Sequence, residues 1–327
     1  MTDTRTSEAQ PLHLLVVIPA LNEEMTIVDV IGRIPCEIKG IAHVKVAVVD
    51  DGSTDKTADL AREAGAHIIR HSRNKGVGAA FHSGVEYAIE SGADLLVNMD
   101  GDGQFSPEDI PTLLQPLLDD SADMVTASRF LKKDYWPKMT KVKFHGNRAM
   151  SALISFLVGK KFHDVSCGFR AYKRDILLQM NLFGQFTYTQ ETFLDLSFKG
   201  IHILEVPVRI RGTREFGKSR VASNIFKYAL QTSKIILRSF RDYKPMVLFG
   251  CISLGFLLFG LILAIFLGLH YVFVGSFSPH KWAGFTSGML FALSAITFVT
   301  GLLADMLGRV RRNQERILYI MKRRQNG

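Results

Sequence analysis

The sequence predicts an α/β protein built on a mostly parallel sheet and followed by two membrane-spanning helices. Three observations predict it. Across residues 13–118 short β-branched runs alternate with longer helical patterns, as βα units do when they cover both faces of a parallel sheet. Turn-rich acidic motifs follow several of these runs. Residues 245–280 and 282–304 contain no Asp, Glu, Lys or Arg, and either stretch exceeds the roughly 20 residues with which a helix crosses a bilayer.

The units pair residues 13–18 with 24–34, 44–49 with 55–63, 67–69 with 78–90, and 95–99 with 107–118. Residues 125–128 and 203–210 read as further strands, and 148–158 and 189–198 as helices. Over residues 224–242 Phe226, Leu230, Leu237 and Phe240 lie opposite a basic stripe of Lys227, Lys234, Arg238 and Arg241. That spacing predicts a helix lying in the membrane interface, with a plain connecting helix as the alternative. In order, the chain divides into a flexible tail (1–12), an α/β domain (13–221), an amphipathic juxtamembrane helix (222–244), a two-helix hairpin (245–306) and a basic cytosolic tail (307–327).

With 327 residues, a net charge of +9, 47% hydrophobic and 22% charged positions, the chain is neither disordered nor a small disulfide scaffold. Cys36, Cys167 and Cys251 are far apart and lack metal-ligand spacing, so they read as reduced structural thiols. Residues 222–244 hold five Lys/Arg against one acid and residues 306–327 hold seven against one, while the loop between the apolar stretches offers Lys281 alone. The positive-inside rule then puts both ends in the cytosol and a short hairpin outside. Anionic lipid headgroups explain this charge better than nucleic acid does. The polar residues 1–10 lead only to a short apolar run that Pro19 stops, so no secretory signal is expected and the α/β domain should face the cytosol of a bacterial inner membrane or its equivalent. Two spans are few for an isolated bundle, which leaves room for homo-oligomers.

The strongest chemical signal is Asp100-Gly101-Asp102-Gly103-Gln104, directly after the strand 95–99. Two carboxylates two residues apart beside an amide oxygen suit a hard cation, Mg²⁺ or Mn²⁺, which keeps positions free for substrate phosphates. Taken alone, Asp-x-Asp also occurs in ordinary turns. Asp50-Asp51-Gly52-Ser53-Thr54-Asp55 ends a second strand, and Pro19-Ala20-Leu21-Asn22-Glu23-Glu24 a third; in isolation both read as helix caps. Three such ends on one parallel sheet converge on one crevice.

Together, Val17-Ile18-Pro19-Ala20-Leu21-Asn22-Glu23, Val49-Asp50-Asp51-Gly52-Ser53-Thr54-Asp55, Asn74-Lys75-Gly76 and Asp100-Gly101-Asp102-Gly103-Gln104 resemble the family-2 glycosyltransferases of GT-A (Rossmann-like) fold. Ser128-Arg129-Phe130, Asp164-Val165-Ser166-Cys167-Gly168-Phe169-Arg170 and Phe216-Gly217-Lys218-Ser219-Arg220 are similar to the branch that makes polyprenyl-phosphate sugars, which includes dolichol-phosphate mannose synthases and bactoprenol glucosyltransferases. The resemblance implies transfer of a hexose from a nucleotide sugar, UDP-glucose or GDP-mannose, to a polyprenyl or dolichyl phosphate at the cytosolic membrane face. It further implies that Pro19, Leu21, Glu23, Val49 and Asp51 bind base and ribose, with Asp51 reaching the base. Asp100, Gly101, Asp102 and Gln104 would meet the diphosphate, with Asp100, Asp102 and Gln104 holding the Mg²⁺ or Mn²⁺. Arg129, Arg214, Lys218, Ser219 and Arg220 would meet phosphate oxygens of donor and lipid. Asp164 would orient the acceptor, act as a base, or serve structure alone.

The chain departs from the common pattern twice. Many relatives have Ala between the two metal-site carboxylates where this chain has Gly101, and the usual Gly-Glu-Ser-Lys becomes Gly217-Lys218-Ser219-Arg220, a more basic loop. The first change is expected to be harmless, because the intervening side chain is not a ligand. A lipid monophosphate is already anionic and can attack the anomeric carbon directly, so positioning and charge neutralisation suffice and inversion is expected.

Other readings compete. Gly212-Thr213-Arg214-Glu215-Phe216-Gly217-Lys218-Ser219 fits the nucleotide phosphate-loop pattern literally, although only about 25 residues separate it from the membrane. Gly76-Val77-Gly78-Ala79-Ala80-Phe81 half-matches a dinucleotide loop, with Phe81 where a small residue belongs. His71, His82, His145 and His163 lack ligand spacing, and Gly250, Gly255 and Gly260 offer close helix packing in the hairpin. A membrane-anchored scaffold or transport subunit that merely retains the fold is the non-catalytic alternative.

Overall fold

The computed structural model describes residues 11–181, 188–212, 234 and 237–326. Seven strands form one sheet: β1 (Leu12–Ala20), β2 (Ile41–Asp50), β3 (His67–Arg70), β4 (Leu95–Asn98), β5 (Met124–Ser128), β6 (Arg170–Lys173) and β7 (Ile203–Pro207). Their order is β3-β2-β1-β4-β6-β5-β7, and only β6 runs antiparallel to its neighbours. The helices are α1 (Ile27–Gly32), α2 (Thr57–Glu63), α3 (Val77–Glu90), α4 (Ile110–Leu118), α5 (Lys141–Val158), α6 (Arg174–Gln179), α7 (Thr189–Phe198), α8 (Pro245–Val274) and α9 (Lys281–Asn326).

The period-two side-chain alternation of β1 explains both layers. Leu14, Val16 and Ile18 face one core with Ile27 and Ile31 of α1 and Ile110, Leu113 and Leu117 of α4. Leu15 and Val17 face the other with Phe81, Val85 and Ala88 of α3 and Leu177 of α6. Full burial of a side chain such as Phe81 contributes about 1.5–3 kcal/mol. The approach of α3 to β1 is close enough that a Cβ on Gly84 would lie 2.3 Å from Val17 Cγ1.

The expected strands and helices are present with shifted ends. The helix expected from residue 24 begins only at Ile27, because residues 22–24 are committed to loop hydrogen bonds. The strand expected over 203–210 stops at Pro207, and the helix expected from 148 starts at Lys141. Strand β6 and helix α6 have no counterpart in the sequence reading: the short stretch Arg170–Lys173 carries a buried arginine, which masks strand character.

The chain divides into two compact units, one of residues 1–236 with 319–327 and one of residues 237–318. Both α8 and α9 are long and apolar enough to cross a membrane, and α9 continues as helix through the basic stretch expected as a tail. Within the hairpin Ser253 and Ser294 each donate a hydroxyl to the other's carbonyl at 2.9 Å, and Ser287 donates to Gly260 O at 2.9 Å. Of the three glycines expected to pack closely, Gly260 lies against Phe291 and Leu290, whereas Gly250 and Gly255 face open space; Gly284 and Gly301 also approach the facing helix closely, at Leu267 and Phe249. The juxtamembrane helix expected over 222–244 lies mostly outside the described residues; residues 237–243 are helical.

Candidate active site

Because β1, β2, β3 and β4 are mutually parallel, their carboxyl ends share one edge of the sheet. The chain reverses its direction of growth between β1 and β4, the position at which open α/β sheets leave a crevice for ligands. Pro19 and Val49 are direct partners across β1 and β2, at the floor of that edge. The Val49 side chain is fully buried in the core.

The loops above the edge are stitched together by side chains of the strand-end motifs and by Thr26 and Thr57, which the sequence reading does not single out. Asn22, at φ 52°, donates its N–H to Ser53 Oγ at 2.9 Å and accepts Thr54 N–H at 2.8 Å. Glu23 N–H donates to Thr57 Oγ1 at 2.8 Å, so the backbone beside Leu21 and Glu23 is fixed by the neighbouring motif. Thr26 Oγ1 donates to Gly101 O at 2.6 Å, tying the same loop to the acidic motif after β4. Asp50 accepts Ser53 N–H at 2.8 Å and so closes the turn.

Asp51 has a different role. Its Oδ1 accepts His71 Nδ1–H at 2.7 Å and Lys75 N–H at 2.9 Å, and its Oδ2 accepts Gly76 N–H at 2.8 Å. His71 in turn reaches Ser83 Oγ with Nε2 at 3.0 Å. Gly52 permits this arrangement: at φ 79°, with a would-be Cβ 2.7 Å from Arg73 C, no other residue fits.

After β4, Asp102 is buried and its Oδ1 accepts Gln104 N–H at 3.0 Å, while Gln104 Nε2 donates to Arg211 O at 2.9 Å. Asp100 lies against Gly168, where a Cβ would meet Tyr188 Oη at 2.9 Å and Asp100 Oδ1 at 3.4 Å. Asn98 Nδ2 donates to Tyr188 Oη at 2.7 Å and to Gly168 O at 2.9 Å. Burial, reinforced by the Asp100 charge, pushes the Tyr188 phenol well above its ordinary pKa and keeps it protonated. Among the described residues no group of three or more His, Cys, Asp or Glu side chains could hold a metal ion. An open pair of carboxylates is the donor set with which a protein shares a hard cation with substrate phosphates, and Asp100 and Asp102 fit it.

Arg129, just beyond β5, donates Nε to Asp164 Oδ2 at 2.6 Å and Nη2 to Asp164 Oδ1 at 2.8 Å. Asp164 is fully buried and also accepts the N–H groups of Arg129 and Ser166. Burial alone would raise its pKa; the Arg129 charge and these hydrogen bonds overcome that and hold it below the ordinary carboxylate value. Cys167 is pushed up to about 12 by burial and by the Asp164 charge, an inert thiol as the sequence predicts.

Three contributors have no role assigned to them by the sequence reading. Arg170 is fully buried and donates to the carbonyls of Cys167, Val165 and Thr189 at 2.8, 3.0 and 2.9 Å, with its guanidinium 4.7 Å from the Phe193 ring centre. It clamps the loop before β6 to the start of α7, and so supports Gly168 and Tyr188. Glu205 on β7 accepts the N–H groups of His163 and Asp164 at 2.8 Å each. His71 orients Asp51. Arg214, Lys218, Ser219 and Arg220, and with them most of the phosphate-loop match, lie outside the described residues.

Residues 15–180 match the model of glycosyl transferase family 2. The chain is 30% identical over 229 residues to polyprenol monophosphomannose synthase of Mycolicibacterium smegmatis, covering 66% of this chain and 83% of that one. It is also 30% identical over 322 residues to undecaprenyl-phosphate 4-deoxy-4-formamido-L-arabinose transferase of an Enterobacter species, covering 93% and 91%. Among solved structures, glucosyl-3-phosphoglycerate synthase from Mycobacterium tuberculosis, in complex with Mn²⁺, UDP and glucosyl-3-phosphoglycerate, superposes with a TM-score of 0.54 at 21% identity over 71% of this chain and 80% of that one. The sheet order, the strand-end motifs and the fold likeness agree with a GT-A-type architecture, and the chain belongs to glycosyl transferase family 2.

Proposed function

We propose that this protein is an inverting glycosyltransferase that moves a hexose from a nucleotide sugar, UDP-glucose or GDP-mannose, to a polyprenyl or dolichyl phosphate at the cytosolic face of a membrane. The observation that carries the reading is the gathering of three acidic or turn motifs at one sheet edge in a chain that also holds two helices of membrane-spanning length. Relatives named for transfer to polyprenol or undecaprenyl phosphate support the acceptor class. The exposed face of α5 supports a lipid-facing site: Val142, Leu153 and Phe156 are exposed there, flanked by Lys141, Lys143, Lys160 and Lys161.

In this mechanism an acceptor phosphate oxygen attacks the anomeric carbon, a carbon–oxygen bond forms as the bond to the nucleoside diphosphate breaks, and configuration inverts. The attacking oxygen is already anionic, so no proton need be removed. Asp100 and Asp102, with Gln104, would hold Mg²⁺ or Mn²⁺, which when bound neutralises charge on the diphosphate. The residues of the chain position the reactants. Asp51 with Pro19, Leu21, Glu23 and the Val49 backbone would receive base and ribose, and Arg129 would meet phosphate oxygens. Asp164, buried and held ionised by Arg129, fits a positioning role for that arginine better than a base. Arg214, Lys218, Ser219 and Arg220 would complete the phosphate contacts.

Radiolabel transfer from a panel of nucleotide sugars to polyprenyl phosphate in detergent tests the reading. A product with retained configuration would overturn the inverting mechanism, and no transfer from any donor by the folded protein would overturn the reading and favour the scaffold alternative.

A further inference from the structure

The hydrogen bonds already made by Asp51 restrict which nucleobase it can receive. A carboxylate accepts about four hydrogen bonds, two at each oxygen. In this structure three come from the chain itself: His71 Nδ1–H and Lys75 N–H at Oδ1, and Gly76 N–H at Oδ2. His71 must donate from Nδ1, because a carboxylate only accepts, and its Nε2 lies 3.0 Å from Ser83 Oγ. The Lys75 and Gly76 donors are main-chain groups held in place by the close contact between Gly52 and the Arg73–Asn74 backbone. Among the described residues Oδ1 therefore has both acceptor positions taken and Oδ2 one, which leaves one position, on Oδ2.

Bases differ in how many donors they present to such a group. The Watson–Crick edge of uracil carries one donor, N3–H, between two carbonyls. Guanine presents N1–H and N2–H side by side and pairs best with a carboxylate whose two oxygens are both open. Cytosine sets the lone pair of N3 against the carboxylate. We infer that the donor is a uridine diphosphate sugar, selected over a guanosine one because the His71–Asp51 pair leaves one acceptor position and not two. This rests on the proposed reading in which Asp51 meets the base, and it makes His71 a specificity-setting residue that touches Asp51 and not the substrate. Guanine would have to leave a donor unpaired in a buried setting, which corresponds to roughly 10- to 100-fold weaker binding.

The test is titration of the full-length protein in detergent with UDP and with GDP, each with Mn²⁺, for the wild type and for His71→Phe. UDP binding at least tenfold tighter than GDP by the wild type is the expected result, and equal or tighter GDP binding overturns the inference whatever the variant does. His71→Phe removes the donor at Oδ1 and should narrow the ratio through improved GDP binding; a folded variant with an unchanged ratio overturns the role of His71. Efficient sugar transfer from a GDP donor would sink the uridine choice while leaving glycosyl transfer standing. Selective UDP binding with no transfer from any donor would sink the transfer reaction and leave the base choice intact.

Discussion

Arg129 and Asp164 form a two-pronged ion pair, Nε to Oδ2 at 2.6 Å and Nη2 to Oδ1 at 2.8 Å, in which the carboxylate is fully buried and the guanidinium retains some exposure. The pair fixes an arginine at the end of β5 in one direction. Removing the carboxylate charge frees Arg129 and leaves the N–H groups of Arg129 and Ser166 with a poorer acceptor. Asp164→Asn should cost about 3–5 kcal/mol of stability, the range for breaking a buried pair, and lower the transfer rate. Thermal unfolding and initial rates on the same preparation check both effects.

The same pair sets an acid limit. The folded-state pKa of Asp164 lies below its ordinary 3.8, so its stabilising contribution is complete above that value and is lost as pH falls through the lower folded-state value. Between pH 5 and 8 its contribution should be flat. Unfolding midpoints measured from pH 7 to pH 2, with Asp164→Asn alongside, should show the difference between the two proteins shrinking only below about pH 4.

Glycines near the site divide into two classes. At Gly52 the backbone is left-handed and a Cβ would meet main-chain atoms at 2.7 and 2.8 Å, so Gly52→Ala should destabilise by more than about 1–3 kcal/mol and displace the loop that binds Asp51. At Gly101 a Cβ would sit 3.2 Å from Ile18 Cγ2 and 3.3 Å from Ile27 Cδ1, contacts that side chains relieve with small shifts. Gly101→Ala should cost below about 1.5 kcal/mol and retain transfer. Denaturant midpoints for the two variants give the comparison.

Arg170 is a buried cation whose described hydrogen bonds go to three carbonyls. Arg170→Met keeps much of the volume and strands those carbonyls, with an expected loss of about 3–5 kcal/mol. Because the clamp supports Gly168 and Tyr188 beside Asp100, binding of UDP with Mn²⁺ should weaken even where the variant is folded.

Cysteine reactivity separates the buried thiol from the others. Cys36 and Cys251 are exposed, whereas Cys167 is buried with a pKa of about 12. A water-soluble maleimide at pH 7.5 should modify Cys36 and leave Cys167 untouched until the protein unfolds, as mass spectrometry of digests would show.

The repeated βα units were legible because strand and helix periods differ, and the apolar spans because charge is absent from them. Element ends were less legible where side chains from distant loops decide them: α1 starts late because Ser53 and Thr57 hold the backbone of Asn22 and Glu23. Strand β6 was hidden because its leading residue, Arg170, is a charged side chain buried by carbonyls and aromatic rings that only the folded chain assembles. The acidic motifs announced themselves by their position after strands. His71 did not, since nothing in its spacing links it to Asp51, which lies 20 residues earlier and next to it in space. The exposed apolar face of α5 was likewise hidden, because an amphipathic pattern does not say which side faces outward.

The most direct measurement is transfer of labelled sugar from UDP- and GDP-linked donors to polyprenyl phosphate, with Mg²⁺ or Mn²⁺, by the full-length protein beside Asp102→Ala. Labelled lipid formed from a uridine-linked donor, abolished by EDTA and by Asp102→Ala, is the predicted result. A folded wild-type protein that forms no labelled lipid from any donor, or an Asp102→Ala variant with unchanged transfer, would contradict the assignment of this strand edge as the catalytic centre.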